Sequence, residues 1–147
     1  MPTFPDRNYD KSALDVPFTV ADIEKKLKTL RPNKSPGADG LHPRVLCELR
    51  EHIGEPLYNL FRKSLDTGDL PDDWKMGIIS PISKKRNKQM PSNYRPVSLT
   101  SMPCKTLEHI VRDIIVKHLD LNGLLTSCQH GFVKGRSCVT QLFDVLD

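Results

Sequence analysis

Met76-Gly77-Ile78-Ile79-Ser80-Pro81-Ile82 has no helical period, and its isoleucines at 78, 79 and 82 favour an extended strand. Pro81 lacks a backbone N–H, which confines that strand to an edge or to an irregular position. Val97-Ser98-Leu99-Thr100 is the second strand candidate. Between the two, Ser83 to Tyr94 carries Lys84, Lys85, Arg86 and Lys88 at what would be the tip of a hairpin. Antiparallel pairing would bring Arg95, at the start of the return strand, back beside those lysines. The stretch predicts a small antiparallel sheet with a basic tip.

The rest of the chain reads as helix. Downstream, Leu107, Ile110, Val111, Ile114, Ile115 and Leu119 form one apolar stripe of a helix from about Ser101 to Leu121, closed by Gly123. Gln129 to Val133 is a short extended segment. Ser137 is placed to cap a last helix bearing Val139, Leu142, Phe143 and Leu146, still running at Asp147. A periodic pattern cut off there suggests a piece of something longer. Upstream, residues 1–17 carry three prolines and no period, as a linker or an upstream tail would. Order is expected from Phe18, where Thr19 and Asp22 have capping-box spacing, Phe18 and Ile23 can staple, and Val20, Ile23, Leu27 and Leu30 share a helical face. Asn33 to Gly40 is a turn-rich loop, and Pro43 opens a second helix that runs to about Glu51. Gly54 is read as a break. A third helix is expected from about Pro56 to Gly68, with Leu57, Leu60, Phe61 and Leu65 on one face.

Composition sets the class. The chain has 147 residues, 37% hydrophobic and 27% charged, as in a globular protein that buries roughly 70% of its unfolded surface. No apolar run approaches the roughly 20 residues of a membrane helix, and the N-terminus has no apolar core of a signal peptide, so an intracellular, non-membrane protein is expected. Cys47, Cys104, Cys128 and Cys138 include no close pair, and read as free, packed thiols. The net charge of +4 hides an asymmetry: residues 1–73 hold 11 bases and 13 acids, residues 74–147 hold 11 bases and 5 acids. Trp74 to Leu107 contains seven bases and no acid, where the chain's own frequency would give about four acids. A polyanion is the partner such a stretch suits.

Three features bear on chemistry. The basic tip could grip phosphates, act as a nuclear-import signal or simply be a solvated loop. Arg95 favours the first, since a guanidinium bonds phosphate bidentately and lysine adds a mobile point charge. Gly131 to Ser137 has glycines and bases before a helix, a place where an anion can sit, but its spacing is not that of a Walker A loop, and ordinary capping reads better. The five histidines have no metal-ligand spacing, and Asp72-Asp73, the only adjacent acidic pair, reads as a turn.

Several blocks in order resemble the reverse transcriptases of non-LTR (LINE-type, jockey-like) retrotransposons. Lys34-Ser35-Pro36-Gly37-Ala38-Asp39-Gly40-Leu41 is similar to the family's N-terminal block, and Leu70-Pro71-x-x-Trp74-Lys75 leads into the strand. Pro91 to Ser101, with Asn93-Tyr94-Arg95-Pro96-Val97-Ser98-Leu99, is similar to its first numbered motif, and Gln129 to Ser137 to its second. The resemblance covers nearly everything from Phe18 onward. It implies an α+β partial right-hand polymerase, fingers and the start of the palm, mostly helical with a small antiparallel sheet. Residues 18–147 would be the N-terminal part of that domain.

The same resemblance implies that Arg95, with Lys84 or Lys85, contacts the triphosphate of the incoming deoxynucleotide. It places Lys34, Gly37, Asp39, Gly40, Lys134 and Arg136 along the template. Partners would be an RNA template, a DNA primer and deoxynucleoside triphosphates, with the nucleus as the expected location. The family's Mg²⁺ ions are held by carboxylates in a strand beyond the second motif and in a Tyr-x-Asp-Asp turn, neither of which occurs here. The expectation is a polymerase fragment, inactive alone and binding no metal. A non-enzymatic nucleic-acid-binding module and a retroelement remnant without function are the alternatives.

Overall fold

The computed structural model describes residues 16–84, 87–126, 129–131, 133 and 135–146. They fall into two compact units, Pro17–Arg112 and one containing Asp113–Asp147. Residues 1–15 of the linker expected over 1–17, together with Lys85, Arg86, Cys128 and Lys134, lie outside the described residues.

In the first unit, helix α1 spans Val20–Lys28. Its capping box forms as the sequence predicts: the Thr19 hydroxyl and N–H donate to Asp22 Oδ2 at 2.7 and 2.9 Å, and the Asp22 N–H donates back to Thr19 Oγ1 at 3.3 Å. Helix α2 covers Pro43–Glu48, with His42 as its N-cap: Nδ1 accepts from the Arg44 N–H at 3.2 Å. Helix α3 runs over Arg50–Thr67, and Leu49 alone separates it from α2.

The third helix therefore starts six residues before Pro56, and Gly54 does not break it. Gly54 is buried where α1 crosses α3: a Cβ there would lie 3.0 Å from Val20 Cγ1 and 3.1 Å from Glu24. Its missing side chain permits the close crossing. Gly68 ends α3 at φ +74°, its N–H donating to the Ser64 carbonyl, as expected.

The core of this unit is aromatic and aliphatic. Ile23, Leu27 and Phe61 are fully buried, and Phe18 packs against Tyr58 and Phe61 at 5.3 and 6.4 Å between ring centroids. Trp74, on the single-turn helix α4 (Asp72–Lys75), meets Phe61 edge-on at 5.8 Å. Such pairs add about 1 kcal/mol each to the burial itself.

Strands β1 (Gly77–Ser83) and β2 (Tyr94–Thr100) form the one sheet among the described residues, a two-stranded antiparallel ribbon in which Ile82 pairs with Arg95 and Ser80 with Val97. β1 has the length the sequence predicts, shifted one residue toward the C-terminus, and β2 begins three residues earlier than predicted. Helix α5 spans Met102–Leu121. The buried Ser101 caps it, Oγ accepting from the Cys104 N–H at 3.3 Å, and Leu107 and Ile110 bury its first half. Ile115, expected on the buried stripe, is half-exposed. At 3.6 residues per turn it sits about 80° around the helix from Leu107.

The second unit holds α6, Cys138–Leu146, capped reciprocally by Ser137 and Thr140. The result is a mostly helical α+β fold with one small antiparallel sheet.

Candidate functional site

The hairpin positions its cations through its ladder. The Lys84 N–H donates to the Asn93 carbonyl at 2.8 Å, one step beyond the Ser83–Tyr94 pair, so the ladder extends to the first tip residue. In an antiparallel pair directly opposed residues share a face, and so do residues two apart along one strand. Lys84, Ile82, Asn93 and Arg95 therefore stand on one face of the ribbon. Arg95 is exposed, and its guanidinium makes no hydrogen bond or ion pair among the described residues. The Lys84 ammonium donates to the Ser92 carbonyl at 3.0 Å, which leaves two of its donors for a ligand.

From Asn87 onward the return side of the tip is held by side-chain hydrogen bonds. Asn87 Oδ1 accepts from the Gln89 N–H at 3.0 Å, the Asn93 side chain donates to the Asn87 carbonyl at 2.8 Å, and the Tyr94 hydroxyl donates to the Lys88 carbonyl at 3.0 Å. These three residues were not among the sequence's candidates. The Asn-x-Gln stretch is an Asx-turn signature that could have pointed to the first of them.

In the loop from Asn33 to Gly40, Gly37 is buried against the start of α5 and the end of β2. A Cβ on it would lie 2.4 Å from the Thr100 carbonyl oxygen and 2.6 Å from the Ser101 nitrogen, a clash with backbone that no side chain can relieve. Gly40 turns the chain at φ +68°. Asp39 faces inward: Oδ1 accepts from the Leu41 N–H at 3.2 Å, and Oδ2 is buried without a hydrogen-bond partner among the described residues. The Lys34 side chain is exposed. Nearby, the Cys104 thiol is pushed up to about 11, first by burial, then by the charge and hydrogen bond of Glu108 and the charge of Asp39.

In the second unit, Arg136 closes its own loop: Nη1 donates to the Gln129 carbonyl at 2.9 Å, and Gly135 sits at φ +81°. His130 is buried, with Nδ1 2.8 Å from Thr140 Oγ1. A cleft of about 490 Å³ in this unit is lined mainly by Val116, Leu119, Leu124, Leu125 and Val133.

No protein-family model matches the chain. It is 29% identical over 132 residues, 89% of its length, to the probable RNA-directed DNA polymerase from transposon X-element of Drosophila melanogaster. It is 30% identical over 127 residues, 86% of its length, to the corresponding protein of transposon BS in the same species. A 149 kDa protein of transposon TX1 from Xenopus laevis is 29% identical over 141 residues, 93% of the chain. The chain is a distant relative of the non-LTR retrotransposon reverse transcriptases. It spans 14% of each of the two Drosophila proteins and 10% of the Xenopus one.

Set against that reverse transcriptase family, two of the described carboxylates are engaged in local structure. Asp72 Oδ1 accepts from the Lys75 ammonium at 3.0 Å, and Asp22 belongs to the α1 cap. Among the described residues no three His, Cys, Asp or Glu side chains are grouped to hold a metal ion, so the Mg²⁺ that such polymerases use finds no ligand set in them. No helix among them is long and apolar enough to cross a membrane.

Proposed function

We propose that this chain is part of a non-LTR-type RNA-directed DNA polymerase and supplies contacts to the incoming deoxynucleoside triphosphate and to the template. The observation that carries the reading is the face shared by Lys84 and Arg95. A triphosphate laid along that face meets a planar bidentate donor at Arg95 and a compact ammonium at Lys84, with Lys85 next in the chain. The nucleotide's charge is neutralised by side-chain cations fixed on a ribbon whose tip is held by Asn87, Asn93 and Tyr94, so little reordering accompanies binding.

The template contacts fall on Lys34, Gly37, Asp39 and Gly40, with Lys134 and Arg136 in the later segment. In the loop, Lys34 supplies the charge for a backbone phosphate, while Asp39 and the two glycines hold the loop's shape. Arg136 bonds its own loop, so its part is to shape the segment that carries Lys134. The names of the relatives support the polymerase assignment, and the acid-free stretch from Trp74 to Leu107 supports a polyanionic ligand. Catalysis would require the metal ligands these residues do not provide, so the chain alone is expected to bind nucleotide without polymerising it.

Adding a deoxynucleoside triphosphate to the isotope-labelled chain tests this. Backbone resonances of Ile82, Lys84 and Arg95 should shift together, while those at the α1–α3 crossing stay fixed. Shifts confined to other regions contradict the assignment.

A further inference from the structure

Pro81 and Pro96 face each other across the ribbon. The proposed phosphate contacts use neither. The bond from the Lys84 N–H to the Asn93 carbonyl sets the phase of the ladder. Pairs Ile82–Arg95, Ser80–Val97 and Ile78–Leu99 exchange hydrogen bonds between the strands, while pairs Ser83–Tyr94, Pro81–Pro96, Ile79–Ser98 and Gly77–Thr100 turn their backbone groups outward. Both prolines thus occupy outward positions. Each removes a donor from the middle of its strand's free edge, and its ring fills the space an added strand's carbonyl would need.

The ribbon has reason to need this. Its exposed residues include Ile78, Ile79 and Ile82, at 50%, 67% and 52% exposure, and a row of β-branched side chains beside an open edge is a template for further pairing. At the body end of β2 the outward Thr100 carbonyl is already covered, because Gly37 lies against it. The middle of each edge is left to its proline.

We infer that Pro81 and Pro96 are edge guards that stop a second copy of this chain from adding its own ribbon to the sheet. The ribbon offers a ligand its faces and tip, and its edges are closed to strand addition.

The test is self-association of the 147-residue chain with Pro81→Thr, Pro96→Thr and both together, followed by sedimentation equilibrium over a concentration series. Threonine keeps strand propensity and restores the N–H. Each opened edge, used symmetrically by two copies, should raise the association constant about tenfold over the unsubstituted chain, with the double variant forming larger species. Adding Ser98→Pro to Pro96→Thr moves the missing donor to the next outward position of β2 and should return that variant to the unsubstituted behaviour. Variants that associate no more than the unsubstituted chain overturn the inference. So does association that Ser98→Pro fails to relieve, because its source is then loss of fold or some other surface.

Discussion

Gly37 lies so close to Thr100 that a Cβ on the glycine would come within 2.4 Å of the Thr100 carbonyl oxygen. The loop carrying Lys34 and Asp39 is thereby seated on the end of the strand that carries Arg95, at the first turn of α5. The two expected contact regions of the first unit share one rigid support.

Gly37→Ala should therefore destabilise the chain by about 1–3 kcal/mol, the usual cost of overpacking against backbone that cannot move. Gly40→Ala meets no atom within 4 Å and is strained only by its positive φ, at a cost of about 1 kcal/mol. Urea melts of the two variants should rank them in that order. Equal effects would mean that the seating of Gly37 contributes little.

The hairpin was legible in the sequence because isoleucines without a helical period, a proline and a cluster of bases all pointed the same way, and antiparallel pairing by itself puts Arg95 on the face of Lys84. The start of α3 was not. Gly54 looks like a breaker locally and acts as a contact point for α1, a tertiary cause that periodicity cannot register. Gly37 likewise reads as a turn glycine, whereas what excludes a side chain is Thr100, far away in sequence. The tip scaffold of Asn87, Asn93 and Tyr94 rests on hydrogen bonds between residues six apart, which hydrophobic pattern does not encode.

Acid should loosen α1 through Asp22. The Thr19 hydroxyl, then the Thr19 N–H, hold its carboxyl below the ordinary 3.8. A folded-state value depressed in this way stabilises the fold above pH 3.8, and the contribution is lost as pH falls through the lower folded value. Asp22→Ala should lower stability by about 1 kcal/mol at neutral pH. Thermal melts between neutrality and pH 2 should show the difference from the unsubstituted chain shrinking at the acid end. A difference that persists undiminished would assign it to packing instead of the cap.

Cys104 makes the opposite prediction. Its thiol is raised from 9.0 to about 11, so the stability linked to it is fully present below pH 9 and declines as pH rises toward 11. Cys104→Ala should flatten that alkaline decline. At neutral pH a thiol reagent should modify the exposed Cys138 first and Cys104 only when the chain opens. Rapid labelling of Cys104 in the folded chain would contradict its burial.

The central claim is that Arg95 holds a nucleotide triphosphate, and equilibrium titration of the chain with a deoxynucleoside triphosphate at low salt measures it most directly. A charge-assisted contact worth about 1.5–3 kcal/mol predicts that Arg95→Ala weakens binding roughly 10- to 150-fold. Arg95→Lys should fall between, since it keeps the charge and loses the bidentate geometry. Binding by Arg95→Ala equal to that of the unsubstituted chain, or no binding by either, would contradict the claim.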